Sequence, residues 1–261
     1  MPVASTFVAA LVGLAGLVPP GEHAEPAKAD AVVEHEPELP RAGETVRVGG
    51  DRDAVAKRKE NGGKVVFVAA GVNEIDTALP EGYPAPTPPG AIDVKSYPVV
   101  RRAVVEGEIR PNGDAGGEGF WPLFRHIQRR DIAMTSPVEM EYKESTPEKA
   151  EGDEAKGAEH WTMAFLYRRP DQGEAGQDGA DKRVKVEDAP PVLVIAIGMK
   201  GDYSRVSLAK GEKELETWLA AQKRFERAGA TRVLYYHGPT WRPWRKWSEV
   251  QIPVAVVGEK K

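Results

Sequence analysis

The sequence predicts an α+β fold in which a curved antiparallel sheet or barrel, made of two β-α-β-β halves, is flanked by two helices. Three observations carry this. In Gly119–Tyr142, Phe120, Leu123, Phe124 and Ile127 recur at helical spacing, and Ile132, Met134, Val138, Met140 and Tyr142 then alternate as on one face of a strand. The same order, a strand, a helix and further strands, returns after Pro191. Polar loops separate the apolar segments, and two such units need each other to bury their apolar faces. The likeness between the halves is one of pattern, without shared residues.

The first ninety residues lack this patterning. Val3–Val18 is an apolar run of 16 residues closed by Pro19, Pro20 and Gly21. It is short of the roughly 20 residues that span a bilayer. It suits the core of an export signal, although no Lys or Arg precedes it, so residues 1–20 are read as a leader. Export to the periplasm or exterior is therefore favoured over a cytoplasmic location. Residues 21–90 read as a largely disordered linker rich in Pro, Glu and Ala, with one short strand in Lys64–Ala70. Thr77–Gly90 holds five prolines and is expected to be extended. The folded domain is placed at residues 91–258.

Within it, Ala91–Glu108 contains two strands, or one bent at Pro98. A Gly/Asn/Asp loop then leads into the helix, and Pro137 interrupts the following strand, so a bulge or edge position is expected there. Trp161, Met163, Phe165 and Tyr167 give the next strand a heavy aromatic face. Pro191–Met199 is a strand apolar on both faces. Glu212–Arg227 reads as a helix with Leu215, Trp218, Leu219 and Phe225 on its stripe and Gly229 as its stop. Arg232–His237 and Glu249–Val254 complete the second half.

Composition excludes some functions. The chain has no cysteine, which removes disulfides, thiolate metal ligands and Cys nucleophiles. A net charge of −4 gives no electrostatic footprint for nucleic acid. The sequence carries no G-x-S-x-G, no H-E-x-x-H and no phosphate-binding loop, so no enzyme is predicted. Glu139 and Glu141 should face outward. Glu249 is either a pocket carboxylate or, more simply, exposed or capping.

Four ordered stretches resemble the SOUL haem-binding proteins. They are Ile92–Pro98 (IDVKSYP), Gly119–Ile127, Ile132–Val138 (IAMTSPV), and Tyr236–Trp244 followed by Ser248–Pro253. The resemblance spans about 165 residues from Ala91 and implies a distorted antiparallel β-barrel with two helices, related to bacterial effector-binding domains. Departures exist: Ser96 stands where some members carry histidine, and His237–Trp241 replaces the usual Asn-Pro-Pro-Trp. The implied cofactor is non-covalent haem, or another tetrapyrrole or amphipathic small molecule, bound by a carrier, buffer or sensor. No nucleic-acid partner is implied, and membrane contact is expected only if the leader is retained.

Haem requires an apolar slot of several hundred cubic ångströms, cations for its propionates and, optionally, an axial His, Met or Tyr. Two histidines are candidate iron ligands: His126 at the edge of the first helical stripe, alternatively a surface histidine, and His237 where a strand enters a Trp-rich turn, alternatively bonded to backbone. Met134 and Met140 are either axial or packing residues. Phe120, Phe124 and Met134 are candidate pocket residues. Trp241, Trp244 and Trp247 with Arg242, Arg245 and Lys246 either cover a flat ligand and pair with its carboxylates or form an aromatic corner with cations that are solvated or over Trp faces.

Overall fold

The structure, a computed structural model, describes residues 38–108, 115–143 and 160–258. The leader, the linker up to residue 37 and most of the charged Lys143–His160 insertion lie outside the described residues. Thirteen strands and two α-helices follow in order: β1 (Thr45–Gly50), β2 (Lys57–Asn61), β3 (Lys64–Val68), β4 (Ala91–Tyr97), β5 (Val100–Glu108), α1 (Ala115–Arg129), β6 (Val138–Lys143), β7 (His160–Leu166), β8 (Gly176–Gln177), β9 (Lys185–Ala189), β10 (Val192–Lys200), α2 (Arg205–Ala220), β11 (Phe225–Arg227), β12 (Arg232–Tyr235) and β13 (Trp247–Val256). No helix among them is long and apolar enough to cross a membrane.

The α+β class and the doubled unit are both present. In the first half, β5, β7 and β6 lie side by side in that order; in the second, β10, β13 and β12 repeat it. The halves join through the antiparallel pair β6–β12, where Val138 faces Tyr235 and Met140 faces Val233. Strand pairing does not close the sheet into a barrel: its ladder is open and ends at β1 and β8.

Helix α1 packs on β5 and β7, and α2 packs on β10 and β13. Leu123 and Ile127 are buried against Trp161, Met163 and Phe165, as the helical stripe requires. Gly119 allows this approach, since a Cβ there would stand 2.9 Å from the Trp161 ring. Leu215 seats α2 on Ile197, Val250 and Ile252. The seam β6–β12 lies between the two helix-covered regions.

Three sequence expectations change. First, residues 38–90 are not a linker. β1 pairs with β4, and β2–β3 form a hairpin turning at Gly62 and Gly63, both with positive φ, the conformation glycine favours in a two-residue turn. Phe67, Val72 and Ile75 cover the sheet face opposite the helices, against Tyr97, Tyr236 and Trp247. These apolar residues are too sparse for a periodic signal, and their partners are distant in sequence.

Second, Ile132–Pro137 is not strand. The segment is held by side chains, with the Thr135 hydroxyl donating to Leu166 O (2.5 Å) and the Ser136 hydroxyl to Tyr236 O (3.3 Å), and β6 starts only after Pro137. Third, the second helix covers Arg205–Ala220, with Ser204 as its N-cap accepting from the Ser207 N–H. Phe225–Arg227 instead pairs with Val254–Val256.

Candidate functional site

Because each helix sits over the outer and middle strands of its half, the seam strands β6 and β12 are left as the floor of an open trough. On the α1 side is a cleft of about 570 Å³. Its wall is Phe120 and Trp121 of α1, and its floor is Val138, Met140, Met163 and Tyr235. The far rim is Tyr203, the stretch His237–Pro239 and Lys246. A second cleft of about 550 Å³ lies on the α2 side, over Leu208 and Val233, with Glu212, Glu216, Arg205 and Arg227 around it. Tyr142 lines both.

The first cleft is mainly aromatic and has few polar atoms. Tyr203 donates its hydroxyl proton to Trp247 O (3.1 Å) and accepts from the His237 backbone N–H (3.1 Å). The hydroxyls of Tyr142 and Tyr235 stand 3.4 Å apart. The Lys246 ammonium lies 4.8 Å from the centre of the Tyr203 ring. Burial lowers the Lys246 pKa and pushes the Tyr203 and Tyr235 phenols up, so these tyrosines are neutral hydrogen-bonding groups in the free protein. In the second cleft, Arg227 pairs with Glu212 (3.2 Å) and Glu216 (3.1 Å), leaving less of its charge for a ligand.

The predicted site residues divide. Phe120 and His237 line the aromatic cleft; Phe124 stacks on Phe120 with ring centres 5.6 Å apart and packs into the core beside Met134. Trp241 and Trp244 are exposed, at 39% and 63%, and with Arg242 and Arg245 they lie on a turn beyond the rim. Only Trp241 approaches the cleft, with its ring 5.3 Å from that of His237. Of the predicted Trp-rich cluster, Lys246 is the cation that lines the cleft and Trp247 is wholly buried; nothing in the sequence set the second cleft's Arg205 or Arg227 apart.

Neither candidate histidine offers a free nitrogen. His126 is fully buried, not a surface residue, with Nδ1 2.9 Å from Asp178 Oδ2 and Nε2 2.7 Å from the Tyr167 hydroxyl. Burial raises the Asp178 pKa, but hydrogen bonds from His126, the Ala180 N–H and Arg129 outweigh it and hold the carboxyl well below its usual range. His237 Nδ1 accepts from the Trp247 N–H (3.1 Å), so Nε2 carries the proton and donates to Glu74 O (3.1 Å). Among the described residues no cluster of three His, Cys, Asp or Glu is placed to hold a metal ion.

The other face of the sheet carries the remaining candidate. Glu249, neither exposed nor capping, is wholly buried and takes both its oxygens to Lys95 Nζ at 2.9 Å. It also accepts from Thr87 N, Tyr236 Oη and Gln251 Nε2. Glu139 does not face solvent either; it is buried between Arg102 (2.6 Å) and Arg232 (2.9 Å). Residues 72–90 cover this layer, and its carboxylates are fully engaged, while Thr87 Oγ1, Arg232 Nε and Gln251 Oε1 are buried without a hydrogen-bond partner.

The two clefts share Tyr142 and have the size and apolar walls that suit a flat, largely apolar ligand, with Lys246 lining the first and Arg205 and Arg227 the second.

A family model described as SOUL heme-binding protein matches residues 85–253. No curated protein matches the chain. Among solved structures, the EcmrR C-terminal domain is similar at 14% identity over 64% of this chain and 98% of that one, with a TM-score of 0.47. EcmrR in a DNA complex is similar at 15% identity over 64% of this chain, with a TM-score of 0.46, and the chain spans only 57% of its length. An uncharacterized conserved protein from Listeria innocua is similar at 15% identity, over 66% of this chain and 94% of that one, with a TM-score of 0.46.

Proposed function

The chain belongs to the SOUL heme-binding protein family, and from that premise we propose that it binds haem or a related tetrapyrrole in the trough over the β6–β12 seam. The observation that carries this is the aromatic cleft of about 570 Å³ between Phe120 and Trp121 on one side and Tyr203 and His237–Pro239 on the other. Affinity would come from burial of the macrocycle against aromatic rings and methionines, at about 25 cal/mol per Å² of apolar surface. Lys246 on the rim is the group suited to its carboxylates, since Arg227 in the second cleft is already shared between Glu212 and Glu216. Phe120 is the sequence-predicted residue this reading keeps in contact with the ligand. His237 becomes a rim residue, and the exposed Trp-Arg turn stays outside the site.

The role is that of a carrier, buffer or sensor. Titrating haemin into the full-length protein should give a saturable shift of the Soret band; no saturable change would overturn the proposal. A second reading is a different amphipathic ligand with haem incidental. The paired carboxylates Glu212 and Glu216 favour it, since they line a cleft that would otherwise receive an anion. Competition of such ligands against haemin, with Glu212→Gln/Glu216→Gln as the variant, separates the two.

A further inference from the structure

We infer that Tyr142 is the axial oxygen donor to the metal of a metallated tetrapyrrole in this trough, with Tyr235 as its hydrogen-bonding partner. The inference rests on the proposed function and names the residue that would distinguish a metallated ring from an empty one. Elimination gives the first support. His126 and His237 each have both ring nitrogens engaged, His126 by Asp178 and Tyr167 and His237 by Trp247 N and Glu74 O. The Tyr203 hydroxyl is held by Trp247 O and the His237 N–H. Met140 and Met163 lie in the cleft floor but are only 2% and 5% exposed, and Met134 packs against the same core outside the cleft lining.

Placement gives the second. Tyr142 and Tyr235 are half-buried, and the hydroxyl of each has the other as its only hydrogen-bond partner among the described residues. At 3.4 Å that bond is long for O–H···O, and it leaves acceptor capacity on both hydroxyls unused. Tyr142 stands on the seam and is the one residue that lines both clefts, so it faces the middle of a flat ligand extending into the two. A hard trivalent iron accepts an oxygen donor, and tyrosine is an established type of axial ligand. On ligation the Tyr142 O–H bond breaks, its proton passes to water, an oxygen–iron bond forms and the iron keeps its oxidation state. Tyr235 then donates its own hydroxyl proton to the Tyr142 oxygen, the arrangement in which a charged acceptor strengthens the bond.

The test uses the full-length protein with two probes, ferric haemin and metal-free protoporphyrin, and the variants Tyr142→Phe and Tyr235→Phe. The wild-type haemin complex should show a phenolate-to-iron charge-transfer band and phenolate modes in resonance Raman spectra. Tyr142→Phe should abolish both and weaken haemin binding about tenfold or more, a clearly larger loss than it causes for metal-free protoporphyrin. Tyr235→Phe should keep the band but shift it. A wild-type complex without the phenolate signature, or a Tyr142→Phe complex that retains it, overturns the inference while haem binding stands. Failure to bind either probe overturns the proposed function as well.

Discussion

On the sealed face of the sheet, Lys95 and Glu249 lie 2.9 Å apart with neither side chain reaching solvent, and Thr87, Tyr236 and Gln251 fill the remaining positions around the carboxylate. On the helical face, Tyr142 and Tyr235 have one long bond between them and open clefts on both sides. Adjacent residues on the same strands produce both arrangements: Tyr235 faces the trough and Tyr236 the polar core, Met140 the trough and Glu139 the core. The difference shows how a sheet separates stability from binding. On the sealed face the buried charges Lys95, Glu249 and Glu139 are all paired and covered, and the polar groups left for a ligand are underpaired and accessible.

The largest expected effect comes from breaking the sealed side. Glu249→Gln leaves the Lys95 charge buried without its carboxylate, and about 3–5 kcal/mol of stability should be lost in chemical denaturation. In the protein that still folds, haemin affinity should stay near that of wild type; a ligand defect out of proportion to the unfolding would show that the two faces are coupled. On the open side, Phe120→Ala removes part of the cleft wall from a half-buried position. It should cost about 1–3 kcal/mol in stability and weaken haemin binding about tenfold, read by denaturation and titration side by side.

A smaller, pH-dependent effect belongs to His237, which touches both regions through the cleft and Glu74. Burial lowers its folded pKa below 6.5, so the unfolded chain binds the proton first. Its contribution is therefore complete above about pH 6.5 and is lost as pH falls below that value. Melting curves from pH 8 to 5 should show this loss in wild type, and His237→Gln should remove that part of the slope. The smallest effect is expected at Trp244, which is 63% exposed: Trp244→Ala should change stability by less than about 0.5 kcal/mol and leave haemin affinity unaltered. A marked loss of affinity would return the Trp-Arg turn to the site.

Much of the helical face was legible. The stripe of Phe120, Leu123, Phe124 and Ile127 does pack on the aromatic strand Trp161–Tyr167, because amphipathic spacing records which way a helix faces. The sealed face was not. Glu139 alternates with Met140 and reads as solvent-facing, yet Arg102 and Arg232, from two other strands, enclose it. For His237 the backbone-bonded alternative is the arrangement found, but which groups engage the two histidines was not legible. Asp178, Tyr167 and Glu74 come from distant parts of the chain, and Trp247 from the strand beyond the turn.

By itself the sequence determined the α+β class, the doubled unit and the family, since local periodicity and ordered motifs are properties of contiguous residues. Tertiary structure alone decided that residues 38–90 complete the fold, that both histidines are engaged, and that Tyr142 meets Tyr235 across the seam. These depend on contacts between residues tens to more than a hundred positions apart, and no local pattern in the chain encodes which distant group will satisfy a buried donor or leave a hydroxyl facing an open cleft.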